Sequence, residues 1–269
     1  MNLRPKFKKD YVSAIVSFIA HHFKESDKRG LVLGISGGLD SSVIAKLCVE
    51  AIGPSKLLGL MMRDDVTTPQ DIQDAKEWAK TLKISFREID ISDLVKSFQN
   101  KFKIKAIQRI AIGNVKARCR MIILYNTAAL ENRLVIGTSN KSELLTGYFT
   151  KFGDGAADFM PLGDLYKTQV KEMGKYLGVP PRILRKVPTA NLWKGQTDEK
   201  ELGISYTDLD RVLLGFELQL DTKEIAQRTG LDVRKIKKVE ERIVANIHKR
   251  KMPLIPKLGI RTLGLDWRE

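Results

Sequence analysis

The run Leu31-Val-Leu-Gly-Ile-Ser-Gly-Gly-Leu-Asp-Ser-Ser42 constrains this chain more than any other stretch. Residues 31–35 are a short apolar segment of the kind that forms a buried parallel strand. Ser36, Gly37 and Gly38 make a tight turn, and residues 40–50 read as the helix that follows. Glycines let the backbone come close to an anion and adopt conformations that other residues avoid. A helix start adds unpaired N–H groups and a partial positive charge. Strand, glycine turn and helix start together make a phosphate site. Ser36, Asp40, Ser41 and Ser42 also cluster polar groups where a plain turn needs none.

The flanking sequence builds a sheet around this unit. Val12, Ile15, Val16, Phe18, Ile19 and Phe23 recur near the helical period, which predicts an opening amphipathic helix. Residues 56–62 read as a second buried strand. Pro69 opens the next helix at a favoured first-turn position. Residues 84–89 alternate as a third strand, and Ser92 is placed to cap a helix through Phe102. Residues 113–132 form a long helix whose middle, Met121-Ile-Ile-Leu-Tyr125, is apolar on every side. Such a helix is covered all round, here by its own core and a second subunit. Residues 133–137 are a fourth strand. The order β-α-β-α-β-α-α-β predicts an α/β fold with a doubly wound parallel sheet flanked by helices. Ligands then bind beyond the carboxyl ends of the strands, where both the Ser36 turn and the segment after Gly137 lie.

After Ser139 the texture changes. Phe149-Thr-Lys-Phe-Gly-Asp-Gly-Ala-Ala-Asp158 is Gly-rich, polar and aromatic, the composition of a functional loop. Residues 164–177 read as a helix ended by Gly178 and Pro180-Pro181. Residues 188–200 are irregular and a candidate mobile lid. The expected organisation is one domain over 1–269, with a core at about 10–180 and a small C-terminal helical extension at about 200–269.

Composition excludes some classes. With 43% apolar and 29% charged residues the chain is globular. It has no long uncharged apolar run and no signal-peptide core, so a cytoplasmic location and no membrane partner are expected. Cys48 and Cys119 lack metal or redox spacing and read as small buried hydrophobes. The balance of 47 basic to 32 acidic residues gives +15, which suits polyanionic ligands.

The glycine turn is not a Walker A loop, because Leu39-Asp40 stands where Lys-Ser/Thr is needed. Ser-Gly-Gly-x-Asp-Ser resembles the loop of the N-type ATP pyrophosphatases. Such enzymes cut ATP between the α and β phosphates, adenylate a substrate and hold the departing pyrophosphate in the loop. Gly113-Asn-Val-Lys-Ala-Arg-Cys-Arg-Met121, Gly137-Thr138 with Glu143, residues 146–155, Pro188-Thr-Ala-Asn191, Glu201-Leu-Gly-Ile-Ser-Tyr206 and His248-Lys-Arg250 are similar, in that order, to ammonia-dependent NAD synthetases. The resemblance covers most of the chain. It implies an adenine nucleotide alpha hydrolase-like fold. It also implies amidation of deamido-NAD by ammonia through a nicotinate acyl-adenylate, giving NAD, AMP and pyrophosphate. A homodimer and Mg²⁺ are implied as well.

Residue by residue, the resemblance assigns Gly34, Ile35, Ser36, Gly37, Gly38, Leu39, Asp40 and Ser41 to the ATP phosphates. Asp40 and Glu143 match the metal carboxylates. Thr138, Lys167 and Thr189 match ATP contacts, and Arg63 is a further AMP contact. Arg118, Lys151, Asp158, His248 and Lys249 match positions that hold deamido-NAD. Asp40, Asp158 and Lys167 are the expected catalytic groups, with Asp158 a candidate to accept a proton from ammonium. The chain departs from many bacterial members in having Gly137-Thr-Ser-Asn140 instead of Gly-Thr-Asp-His, and Leu39 where Gln is common.

Other readings compete. A tRNA-modifying member of the same superfamily suits the basic balance but lacks a reactive cysteine pair. Residues 222–239 read like a helix-turn-helix, but an ATP site and an ordinary two-helix packing unit account for the same features. Nucleic acid is therefore not an expected partner. A glutamine-dependent enzyme is not expected either, since the chain has no room for an amidotransferase domain.

Overall fold

Strand β1 (Gly30–Gly34) is apolar because it lies between two strands and under helices on both faces. In the computed structural model, which describes residues 3–261, β1 pairs in parallel with β2 (Leu57–Arg63) and with β4 (Arg133–Ile136). β3 (Ser85–Asp90) adds in parallel to the far side of β2, giving the order β3-β2-β1-β4. The expected doubly wound sheet is present.

The two faces follow the alternation of the strands. Leu31, Leu33, Leu57, Met61 and Ile136 point to one face. They pack there against α1 (Asp10–Glu25), α2 (Leu39–Ile52), α3 (Pro69–Thr81) and, further on in the chain, α7 (Lys167–Tyr176). Val32, Leu58, Leu60, Met62 and Val135 point to the other face, under α4 (Ser92–Lys101) and α5 (Arg109–Glu131). Trp78 bolts α3 to α2 by donating its indole N–H to Ser42 O at 2.9 Å. Cys48 and Cys119 are free and buried, as expected.

Boundaries differ from the sequence reading in three instructive places. Ser92 does not cap α4; it is the first helical residue, and Asp90 accepts its N–H at 2.8 Å. α5 begins at Arg109, one turn before Gly113, because Gly113 is buried inside the helix against Leu192 and Trp193. α7 begins at Lys167 rather than 164, since residues 161–165 form turns.

The remaining elements are α6 (Lys141–Thr146), α8 (Pro181–Leu184), α9 (Asp198–Leu202), α10 (Tyr206–Glu217), α11 (Thr222–Thr229), α12 (Val233–Ala245) and α13 (Ile247–Arg250). α10, α11 and α12 share an apolar cluster with Leu3 and Tyr166. In the helix-turn-helix pattern at 222–239, Ile225, Ile236 and Val239 are all buried in this cluster. Among the described residues no helix is long and apolar enough to cross a membrane.

One buried acid ties this cluster to the site described below. Asp210 of α10 is fully buried and accepts the Ser142 hydroxyl of α6 and the Thr168 N–H of α7, the latter at 2.8 Å. Ser142 Oγ in turn accepts the Lys167 N–H at 3.0 Å. Asp210→Ala strands these groups and is expected to cost about 3 kcal/mol, read as a lower midpoint in urea unfolding.

Candidate active site

The strand order reverses between β1 and β4, and this opens a crevice at their carboxyl ends. The crevice is a cavity of about 420 Å³. Gly34, Ile35, Ser36, Gly38, Leu39, Asp40 and Ser41 line it, together with Thr138, Glu143, Lys167 and Thr189. Eleven of the residues expected at ATP or metal are thus brought to one place. Gly37 belongs to the same turn. Its φ of +72° is a left-handed value, and a Cβ there would come within 2.3 Å of Asp71 O.

Serine hydroxyls hold the turn. Ser41 Oγ accepts the Ser36 N–H at 3.3 Å, and Ser36 Oγ accepts the Gly38 N–H at 3.2 Å. Ser42 Oγ donates to Gly38 O at 2.7 Å. α2 starts at Leu39 with Gly38 as its cap, so the helix start faces the cavity without a capping side chain.

The charged centre lies beside this turn. The Lys167 ammonium donates to Asp40 Oδ2 and, at 3.3 Å, to Glu143 Oε1. Burial works against the lysine charge, but Asp40 and Glu143 outweigh it and raise its pKa above the usual lysine range. Glu143 responds oppositely. Burial pushes its carboxyl up, Lys167 pulls it down, and Asp40 and Asp198 push it up again; the net shift is upward. Asn140 caps α6 and exchanges backbone and side-chain bonds with Glu143. Its amide Nδ2 also donates to Asp40 Oδ1 at 3.1 Å. The asparagine that departs from many bacterial sequences therefore orients both carboxylates.

Asp40 and Glu143 meet at a single ammonium, so their oxygens converge. Two hard carboxylates beside a phosphate turn fit Mg²⁺, which takes one or two carboxylates plus phosphate oxygens. Among the described residues no group of three or more His, Cys, Asp and Glu side chains forms a metal cage.

Several cavity residues carried no role in the sequence reading. Asp198 is buried and accepts from Tyr148 OH and Tyr206 OH, each at 3.1 Å. Burial raises its carboxyl. The Tyr206 ring lies 5.2 Å from the Lys167 ammonium. Asp154 lines the cavity and accepts the Thr150 N–H at 2.8 Å. Arg120 also lines it and donates to Asp64 at 3.0 Å. The available signal was local. Asp154 stands between two glycines, and Asp198 and Tyr206 fall where the irregular 188–200 segment gives way to helix.

Residues expected at the dinucleotide form a second group outside this cavity. Arg118 donates to Lys151 O at 3.3 Å, and Lys151 donates to His248 O at 2.9 Å. Lys249 donates to Gly147 O at 2.7 Å and Phe149 O at 2.9 Å. Burial draws its ammonium below the usual lysine range. Asp158 sits apart from these bases. Its Oδ2 accepts the Val135 N–H at 2.7 Å, and Ile136 bridges to Phe159. The carboxylate therefore finishes the open side of β4.

Arg63 is not brought to either group. It pairs with Glu88 at 2.9 Å and Asp90 at 2.7 Å along the β2–β3 edge. Lying on the strand after Met62, it points away from the cavity that Met61 and Met62 line. The segment at 188–200 is irregular only to Thr197; α9 then begins at Asp198.

Removing the central charge gives a direct check. Lys167→Met leaves Asp40, Glu143 and Asp198 facing one another without a cation. It is expected to weaken ATP binding about a hundredfold, measured by calorimetric titration.

The NAD synthase family model matches residues 11–253. The NH(3)-dependent NAD(+) synthetase of Methanocaldococcus jannaschii is 45% identical over 251 residues, covering 93% of this chain and 97% of the relative. Among solved structures, an NMN synthetase from Francisella tularensis superposes with a TM-score of 0.83 at 38% identity, covering 94% of this chain and 100% of that one. The NH3-dependent NAD synthetase from Campylobacter jejuni gives 0.79 at 33%, covering 93% and 98%. With a nucleotide-sized crevice at the strand reversal and these likenesses over nearly its full length, the chain belongs to the NAD synthase family.

Proposed function

We propose that this chain is an ammonia-dependent ligase that amidates the nicotinate carboxylate of deamido-NAD, converting ATP to AMP and pyrophosphate and giving NAD. One observation carries the reading. Lys167, Asp40 and Glu143 converge beside a phosphate turn within one cavity. A carboxylate is a poor acyl donor, so it first attacks the α-phosphorus and becomes an acyl adenylate. Pyrophosphate departs toward the turn at residues 36–41 and the uncapped start of α2. Lys167 neutralises charge on the phosphates, and positioning supplies most of the remaining rate. Asp40 and Glu143 would hold Mg²⁺, which supplies further neutralisation at the phosphate oxygens.

Ammonium must lose a proton before its lone pair can attack the acyl carbon. Asp154 fits that task better than Asp158. It lines the cavity and its carboxylate is held by the Thr150 N–H at 2.8 Å, facing the space where ammonium would meet the acyl adenylate. Asp158 is committed to the Val135 N–H and is read here as part of the deamido-NAD surface. Arg118, Lys151 and Lys249, with His248 among them, gather positive charge on another part of that surface, opposite in sign to the dinucleotide's diphosphate. Thr138 and Thr189 complete the ATP cavity. Arg63 receives no role.

The chain is read as one catalytic unit, its C-terminal helices supplying Asp210 behind the site. A cytoplasmic homodimer is part of the same reading, supported by Ile122 and Leu130 standing exposed on α5.

Incubation with ATP, Mg²⁺, ammonium and deamido-NAD is expected to yield AMP and NAD in equal amounts; ADP as product would contradict the α-phosphorus assignment. Asp154→Asn is expected to slow NAD formation while ATP–pyrophosphate exchange persists. Equal loss of both would remove Asp154 from the proton-transfer step.

A second reading has its own support, since the Francisella tularensis neighbour is described as an NMN synthetase. The alternative substrate is then the nicotinate mononucleotide. Comparing kcat/KM for the two acids decides: a preference of about tenfold or more for deamido-NAD is expected, because the basic group beyond the cavity has a second phosphate to bind.

A further inference from the structure

Lys186 has no part in the chemistry above. It precedes Pro188 and Thr189 and lines the cavity. Its ammonium has three oxygen partners: Gly37 O at 2.9 Å, Asp71 Oδ1 at 2.7 Å and Asp74 Oδ2 at 2.6 Å. Asp71 and Asp74 lie one turn apart on α3, and Asp74 is fully buried. One side chain thus fastens the phosphate turn, α3 and the segment that delivers Thr189.

The Gly37 contact has a specific meaning. An anion site built from backbone N–H groups needs its carbonyls turned away, because an inward carbonyl sets the negative end of a dipole against phosphate. Glycine is the residue most free to rotate its flanking peptides. An ammonium on Gly37 O opposes that rotation.

We infer that Lys186 is a positioning residue that holds the Gly37 carbonyl away from the pyrophosphate and so keeps the 36–41 turn in its anion-binding form. This rests on the ATP reading above. Lys186 acts through Gly37, not on phosphate directly, since its ammonium already donates to Gly37 O and Asp71 Oδ1 and is ion-paired with Asp74. Through the same contact it couples the turn to the approach of Thr189.

The test uses the full chain and two variants, Lys186→Met and Lys186→Arg, with melting temperatures recorded first. Pyrophosphate with Mg²⁺ is titrated calorimetrically without other substrates, and steady-state constants are measured for ATP and deamido-NAD. Lys186→Met is expected to weaken pyrophosphate binding and raise the ATP KM by about tenfold. The deamido-NAD KM stays unchanged. Lys186→Arg recovers most of the loss, because a guanidinium still donates to Gly37 O. If Lys186→Met unfolds, Asp71→Asn loosens the same ammonium from α3 and is expected to shift pyrophosphate binding in the same direction by less.

Unchanged pyrophosphate affinity in Lys186→Met overturns the inference. So does a parallel loss for both substrates that Lys186→Arg fails to rescue, since that pattern marks general destabilisation. A wild type that binds no pyrophosphate overturns the ATP reading as well. A wild type that binds it and forms AMP, with variants that behave identically, removes Lys186 alone.

Discussion

The site depends on placing one lysine between two carboxylates where water is scarce. Lys167, Asp40 and Glu143 come from three helices, α7, α2 and α6, of which α2 is distant in sequence from the other two. None of the three charges is tolerable alone at that depth. Together they satisfy one another, and they stay in place because each is held from behind. Asn140 steadies both acids, while Ser142 and Asp210 fix the start of α7. Such a triad leaves an ammonium whose carboxylate partners can be exchanged when a phosphate chain enters.

The sheet explains why these helices meet there. A doubly wound order forces the chain to reverse beside β1, and in the gap between β1 and β4 strand ends and helix starts surround the cavity. The phosphate turn follows β1, and Gly137-Thr138 follows β4. A Cβ at Gly137 would come within 2.7 Å of Ala157 Cβ, so the close approach of the 149–158 loop to β4 also requires glycine.

Much of this was legible in the chain itself. Residues 31–42 announce strand, turn and helix through local chemistry alone, and the four strands follow from apolar runs bounded by turn residues. What stayed hidden was set by tertiary packing. Nothing local says that Arg63 turns outward to Glu88 and Asp90; both directions are open to a residue at the end of a strand. Lys186 looks like any surface lysine until the fold brings Gly37, Asp71 and Asp74 around it. Asp154 and Asp158 share a motif, but only the geometry separates the acid lining the cavity from the acid pairing with β4. α5 began a turn early because packing against Leu192 and Trp193 overrides the helix cost of Gly113.

The outward turn of Arg63 bears on another hazard of this architecture. β3 ends the sheet with one side unpaired and most of its residues exposed. An open ladder of that kind invites strands from neighbouring molecules during synthesis and heating. Here it is bordered by alternating charge: Lys76 and Arg63 clasp Glu88, Arg63 reaches Asp90, and Arg87 pairs with Glu131. A strand approaching this border would have to strip water from several ions at once, so the cross-linked fringe acts as a guard against fibrillar association.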